Sequence, residues 1–537
     1  MERQDIEKEI LKLCLEKKIL LDSETFKLLS QLDYEEAKKM IDIISGLNEK
    51  IITKAFITKN VEQIGDRMSD KKVVEKIKLT FGVQLEIHRE YEEKQDQGFA
   101  NPILEETKEK EQVCIFNKNL KILYSLANIT RKIKPIDFTI HFRNRYTEMK
   151  KILQDRKELE NLSSINKITG KRQALSIIGM VFDKRVTKNK NIILEIEDMT
   201  GRMGVLINKD KKEVYEKAKN ILKDDVIAIK GFGDNEILFA NDIYYPDTII
   251  TEKAYLDRDE NVAFISDIHL GSSFFLEDKF LKFIDWINGE VGDKTQKEEA
   301  KKIKYLFIVG DVVDGVGIYP GQEEQLTIKD IKEQYARLTE YLKKIRKEIT
   351  IIIAPGQHDA VRVAEPQPFI GKDYAEPLYE LENVVLVSNP SLVEITNEKK
   401  RGIKILLYHG ASMHSFVNEI EDLRTTNCHD TPARVVKEML KRRHLAPLHS
   451  SVIYIPNEKY DPMMIREVPD IIVTADFHRP DSDYYNNIQI ICCSCWQKTT
   501  PFEEKVGNHP LPCRVPILNL QTRKLKILDF SEEDEPQ

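Results

Sequence analysis

Cysteine is scarce in this chain of 537 residues: seven thiols, an odd number, too thinly spread for the disulfide framework of a secreted protein. Missing too is any uninterrupted apolar run near the ~20 residues that a membrane helix needs. The opening MERQDIEKEI is too acidic and polar for a signal peptide. Positive charge is not in excess. Lys and Arg number 83 against 90 Asp and Glu, a net charge of -7, which excludes a generally basic nucleic-acid-coating protein. Any nucleic acid must be held by a local basic surface, a metal or a partner. No P-loop or nucleotide-binding glycine motif occurs. The chain is expected to be soluble and cytoplasmic, with no membrane partner.

What is there suffices for several cores. Hydrophobic residues make up 41%, and at roughly 100–200 residues per domain the length allows three to five domains. Residues 1–75 carry amphipathic spacing (Ile6, Ile10, Leu11, Leu13) and helix starts at Asp22–Thr25 and Asp33–Glu36, which predict a helical module. Residues 76–134 contain a charge run with little to bury, from Arg89 to Gln112, and are expected to form a flexible linker. Residues 135–250 begin with a helical stretch reaching Leu159. Five short strands follow (176–181, 192–197, 203–207, 226–230, 237–243), with a helix at 212–222 between the third and fourth. That order is expected of an OB-fold barrel, with Phe239 pointing inward. Residues 251–537 alternate strand, loop and helix, as in a layered α/β domain.

Five apolar runs in this last region end in the same chemistry. Val262–Ile265 runs into Asp267 and His269, and Tyr305–Val309 into Gly310-Asp311. Ile349–Ile353 runs into Gln357-His358-Asp359, Ile403–Tyr408 into His409, and Asp470–Thr474 into Asp476 and His478. In open α/β sheets, ligand sites gather beyond the carboxyl ends of strands. Mixed oxygen and imidazole donors, without paired thiols, suit Mn2+, Fe or Zn and a two-metal phosphoryl hydrolysis.

The motifs DIH, GDVVD, GQHD, YHG and ADFH, in this order, resemble the calcineurin-like metallophosphoesterase superfamily. Asp314–Gln322, His358–Arg362, Ala364–Pro368 and Arg443–Pro447 narrow the resemblance to the small subunits of the archaeal D-family DNA polymerase, over about 165–537. The resemblance implies a multidomain chain with an N-terminal helical module, an OB-fold barrel and a two-sheet phosphoesterase sandwich flanked by helices. It also implies a 3′–5′ exonuclease that proofreads DNA, with a large polymerase subunit as partner and a single-stranded 3′ end as substrate. Two divalent ions are implied. Asp267, His269, Asp311 and His478 would hold one, and Gln357, His409 and Asp476 the second, with Asp311 shared. His358 would be the general acid, oriented by Asp359. Gln357 and Asp476 depart from the superfamily's Asn and His; the oxygen-richer set favours Mn2+ or Mg2+ over Zn2+. Those two changes also keep open a second reading, a scaffold subunit with little hydrolysis.

Three further features have two readings each. Cys492, Cys493 and Cys495 are buried structural thiols or metal ligands. Lys441–His444 is a phosphate- or partner-contacting cluster or a solvated helix end. Gln521, Leu525 and Phe530 are a sliding-clamp motif or a final core strand.

Overall fold

The computed structural model describes residues 3–56 in part, 114–126 without 118, and 132–531 without 399 and 507. The chain divides into two compact units, Met1–Phe99 and Ala100–Gln537. In the first, helices Arg3–Glu16 and Tyr34–Ser45 bury Ile10, Cys14, Met40, Ile41 and Ile44. The unit is not purely helical, because Leu20–Leu21 pairs in parallel with Ile51–Ile52. The charge run 89–112 lies outside the described residues.

The second unit begins before the expected linker ends. Cys114–Asn117 and Leu120–Tyr124 form an antiparallel hairpin on the edge of a seven-stranded sheet. Leu120 and Ile122 alternate into the core, which the neighbouring charge run obscures in the sequence. Helix Pro135–Gln154 follows, ending before Leu159, with Pro135 at its first turn where no backbone donor is needed.

Five strands then close a barrel: Gln173–Val186, Ile192–Glu197, Arg202–Ile207, Val226–Gly233 and Ile237–Tyr244. Helix Lys212–Lys219 sits between the third and fourth, where the sequence places it. The first strand is longer than its apolar run because it pairs with two partners, the fourth strand along 173–180 and the second along 180–186. Phe239 does not point inward. Leu238 and Ala240 fill the barrel, so alternation turns Phe239 outward, where the Arg172 guanidinium lies 5.8 Å from its ring centroid.

Two mixed sheets make up the rest. The six-stranded sheet runs 384–386, 350–354, 303–309, 261–265, 514–519, 525–529; the seven-stranded sheet runs 481–485, 488–492, 471–474, 403–407, 391–395, 120–124, 114–117. Phe264, Phe307 and Ile352 of the first meet Ile405, Val473 and Ile491 of the second in one buried layer. Helices Glu277–Ile287 and Ile331–Leu342 cover the outer face of one sheet, and Met413–Glu419 and Pro432–Arg442 that of the other. The sandwich is therefore dry within and clad on both outer faces, which is why its strands read as continuous apolar runs.

Lys441–His444 is neither a phosphate patch nor a solvated helix end. Arg442 is buried against Asp225 of the barrel, and His444 is buried against Asp461. The final strand Leu525–Asp529 pairs with Arg514–Asn519, and Phe530 is buried against Phe283 and Trp286. A buried Phe530 cannot serve as a clamp-docking aromatic. Among the described residues, no helix is long and apolar enough to cross a membrane.

Candidate metal centre

The five apolar strands are parallel within their sheets, so their carboxyl ends share one edge of each sheet. Beyond those ends the backbone turns sharply. Asp267, His269, Asp311, Asp476 and His478 all take left-handed conformations, with φ of 47°, 47°, 50°, 69° and 54°. Such angles cost non-glycine residues of the order of 1–3 kcal/mol each and persist only where the surroundings enforce them. Here they aim five side chains from three strand ends at one space. Two glycines allow the close approach. A Cβ on Gly310 (φ +86°) would lie 2.2 Å from His409 Nδ1, and one on Gly356 would lie 2.2 Å from Asp311 Oδ1.

All eight residues singled out in the sequence reach this space. The candidate ligand atoms of Asp267, His269 and His478 lie within 4.8 Å of one another, as do those of Asp267, Asp311 and His409, and those of His269, Asp311 and His358. Asp311 Oδ2 stands between the two halves, 3.3 Å from His409 Nε2 and 3.9 Å from His269 Nε2. His478 Nε2 is 3.3 Å from Asp267 Oδ1. Gln357 Nε2 donates to Asp476 Oδ1 at 3.0 Å, and the same oxygen is 3.8 Å from His409 Nε2. The His358 backbone N–H donates to Asp311 Oδ1 at 2.8 Å.

These side chains fit divalent cations. Asp267 Oδ1, His269 Nε2, Gln357 Oε1 and His409 Nε2 are buried without a hydrogen-bond partner. Unsatisfied buried polar atoms cost about 1–3 kcal/mol each, so several converging on one space mark a place for a shared ligand. Without cations the groups perturb one another. Burial opposes ionisation of Asp311, yet the facing His409, His358 and His269 rings hold its carboxyl well below the usual range. Burial disfavours the charged His409 and His478 rings, but Asp311, Asp267 and Asp476 around His409, and Cys495 and Asp267 beside His478, raise both well above the ordinary imidazole value.

Each imidazole is aimed by an acceptor on its other nitrogen, the arrangement that fixes the tautomer of metal-ligating histidines. His269 Nδ1 meets Asp314 Oδ1 at 3.0 Å, His478 Nδ1 meets Glu503 Oε1 at 2.7 Å, and His409 Nδ1 meets the Val309 carbonyl at 2.8 Å. Asp314 closes the GDVVD motif and was legible there. Glu503 had only the helix-start pattern Thr500-x-x-Glu503, which the structure honours, since Glu503 Oε2 accepts from the Thr500 N–H at 2.7 Å. Asp359 does not orient His358. Its carboxylate accepts from the Gly356 N–H at 2.8 Å and the Tyr335 hydroxyl at 3.1 Å, bracing the loop. Burial and the neighbouring Asp311 charge push it up to about 7. His358 is held instead by the Asp314 carbonyl, 2.8 Å from its Nδ1. Cys492, Cys493, Cys495 and Cys513 are buried free thiols outside the three ligand groups.

The profile of the DNA polymerase alpha/epsilon B-subunit family matches residues 262–482, which span all five strand ends from Asp267 to His478. The DNA polymerase II small subunit of Pyrococcus furiosus is 40% identical over 396 residues, 73% of this chain and 63% of that one. Its counterpart in Methanothermobacter thermautotrophicus is 38% identical over 396 residues, 74% of this chain and 79% of that one. A solved archaeal phosphodiesterase aligns over 50% of this chain and 98% of its own, at 11% identity and a TM-score of 0.26. The chain thus spans just under two thirds of the Pyrococcus relative and about four fifths of the Methanothermobacter one. Identity at this level over nearly three quarters of its length makes it a member of the DNA polymerase II small-subunit family.

Proposed function

We propose that this chain is the proofreading 3′–5′ exonuclease subunit of a two-subunit archaeal replicative DNA polymerase, acting in the cytoplasm alongside a large polymerase subunit. In this reading the barrel is an OB-fold and the sandwich a calcineurin-like phosphoesterase domain. The observation that carries it is the set of unpartnered buried atoms on Asp267, His269, Gln357 and His409, which converge from different strands.

Asp267, His269, Asp311 and His478 would hold one divalent ion, Mn2+ or Mg2+. Gln357, His409 and Asp476 would hold a second, with Asp311 common to both. Such ions lower the pKa of water and stabilise the charge of a phosphoryl group under in-line attack. The chain's own side chains do the rest. Asp314, Glu503 and the Val309 carbonyl keep the three imidazoles on the tautomer whose Nε2 is free. A carbonyl only accepts, so His358 Nδ1–H donates to that of Asp314 and leaves Nε2 to meet substrate. As the imidazolium, with a second proton on Nε2, it would deliver that proton to the departing 3′ oxygen, or steady the charge that develops on the phosphate. A frayed, mispaired 3′ end is the natural substrate, since separating it from its duplex costs least.

The test is incubation of the purified chain, alone and with its large subunit, with Mn2+ and a 3′-mismatched primer–template. Release of 5′-mononucleotides that His358→Ala abolishes, with the fold retained by circular dichroism, is the expected result. No release in either setting would overturn the reading and leave a scaffold subunit.

A further inference from the structure

Beside His358 lies a cavity of about 570 Å3 that the metal cage does not use. It falls in the 300–1,000 Å3 range of pockets that accept small organic ligands. One wall is the loop after Asp314, which offers Val316 and Ile318, 44% and 40% exposed; the other carries Phe369 and Tyr374, the tyrosine 46% exposed. His358 and Asp359 also line it, so the cavity adjoins the residue that would meet the scissile phosphate.

Apolar side chains on a loop would ordinarily fold inward. This loop is prevented from doing so by two buried glutamines. Gln322 Nε2 donates to the Asp314 carbonyl at 2.8 Å and to Asp314 Oδ2 at 3.0 Å, while its Oε1 accepts from the Ile318 N–H at 2.9 Å. Gln334 accepts from the Gly315 N–H at 3.0 Å and donates to the Gly315 carbonyl at 3.1 Å. Gly315 and Gly317 take φ of +75° and +77°, which suits the turn to glycine. The Arg362 guanidinium ties the opposite wall by donating to the Pro366 carbonyl at 2.6 Å. The apolar walls are therefore held open at fixed positions, and one loop is tied to the carboxylate that aims His269.

We propose that this cavity receives the base and sugar of the nucleotide being removed, with Ile318 and Tyr374 packing against the base. The proposal rests on the reading of the cage as a phosphodiesterase, and names how that site recognises its substrate. A phosphate poised where His358 reaches it puts its 5′-linked nucleoside at the cavity mouth. Contact through the Ile318 side chain and the face of the Tyr374 ring does not depend on base identity, as removal of an arbitrary terminal nucleotide requires, while Arg362 and Asp373 bring charge to the same lining. Stacking of a base on a side chain is worth about tenfold or more in affinity per base.

The experiment compares two chromogenic diesters on the full-length Mn2+-loaded chain: thymidine 5′-(p-nitrophenyl phosphate), which carries a nucleoside, and methyl p-nitrophenyl phosphate, which has only a methyl group in its place. Tyr374→Ala and Ile318→Ala should raise KM for the thymidine ester about tenfold at unchanged kcat, and leave the second diester unaffected. Ile318→Trp, which narrows the cavity, should do the same by crowding the base. Unaltered KM for the thymidine ester in all three variants would overturn the proposal and leave the phosphodiesterase reading intact. Parallel loss on both diesters would also overturn it, showing that the cavity merely supports the cage. If the wild-type chain cleaves neither diester, the phosphodiesterase reading is decided by the primer–template assay. Calorimetric titration with thymidine 5′-monophosphate then decides the cavity: about tenfold weaker binding in the variants upholds it, and equal binding refutes it.

Discussion

Arg442 Nε lies 3.0 Å from Asp225 Oδ1, a buried ion pair that ties the helix covering the seven-stranded sheet to the five-strand barrel. Glu438, one turn back on the same helix, also meets the Arg442 guanidinium, and Asp225 Oδ2 accepts from the Leu222 N–H at 2.9 Å. The pair is thus fully hydrogen-bonded on both sides. Removing one partner strands the other charge, whereas replacing both removes the desolvation cost along with the attraction. Arg442→Met should lower stability by about 3–5 kcal/mol in urea unfolding, and Arg442→Met combined with Asp225→Leu should recover most of that loss. A double variant as unstable as the single one would show that the remaining contacts, not the pair, hold the barrel.

Asp314 and Glu503 act through the imidazoles they orient. In Asp314→Asn and Glu503→Gln the side chain keeps its size and loses its charge, and an amide that can turn either its oxygen or its NH2 to the ring replaces the acceptor-only carboxylate that fixes the tautomer of His269 and His478. Each change should weaken Mn2+ binding about 10–100-fold in calorimetric titration, with nuclease activity returning as Mn2+ is raised. His358→Ala should behave oppositely, losing activity at all Mn2+ concentrations while binding the metal normally. Equal Mn2+ affinity in Asp314→Asn and wild type would refute the orienting role.

The cage was legible in sequence because a buried parallel strand has only apolar residues to offer, so the first Asp or His after it stands out. That holds for Asp267, Asp311, His409 and Asp476. The same reasoning failed where a residue's job is done by its neighbours. Asp359 follows His358 directly, yet its carboxylate turns back to Gly356 and Tyr335, because the tight loop leaves those donors unpaired. Arg442 sits in a basic run that looks solvated; only the tertiary fold brings Asp225 to it from 217 positions away. Phe239 was misassigned by a single step of strand phase, since Ile237–Ala240 are all apolar and alternation has no polar residue to set it. The 114–124 hairpin was hidden because a short strand on a sheet edge carries little signal beside a long charge run.

Gly356 is where the cage tolerates least. Its Cβ would meet Asp311 Oδ1 at 2.2 Å, the Asp311 backbone nitrogen at 2.6 Å and His409 Nε2 at 2.8 Å. Backbone cannot retreat without moving the strand that presents it. Gly356→Ala should therefore cost about 1–3 kcal/mol in stability and abolish Mn2+ binding together with nuclease activity. Gly170→Ala, whose added carbon meets nothing nearer than Asn235 Oδ1 at 3.6 Å, is the control and should change neither. Near-normal Mn2+ affinity in Gly356→Ala would mean that the cage is softer than the strand ends make it.

Acid should loosen the helix Pro135–Gln154 from the sandwich, through one buried cluster. Asp461 accepts from Arg145 Nε at 2.6 Å and faces His444 Nε2 at 2.8 Å and His141 Nε2 at 3.2 Å. Burial would raise the Asp461 carboxyl, but the Arg145 guanidinium and the two imidazoles hold it well below the carboxylate range. Burial and the Arg145 charge together lower His444 to about 4. A histidine with a depressed folded-state pKa stays neutral in the fold while the unfolded chain takes up a proton near pH 6.5. Its contribution is thus complete above that value, and falls by up to about 1.4 kcal/mol per pH unit between pH 6.5 and 4. Asp461 adds loss of the same sign below the unfolded carboxylate value of about 3.9. The raised histidines of the cage act in the opposite sense, so the measurement is a difference: urea unfolding of wild type and His444→Gln across pH 4–7. The stability gap between them should widen as pH rises through 4 to 6.5 and then stay constant. A gap that does not change with pH would show that His444 titrates alike in the folded and unfolded chains.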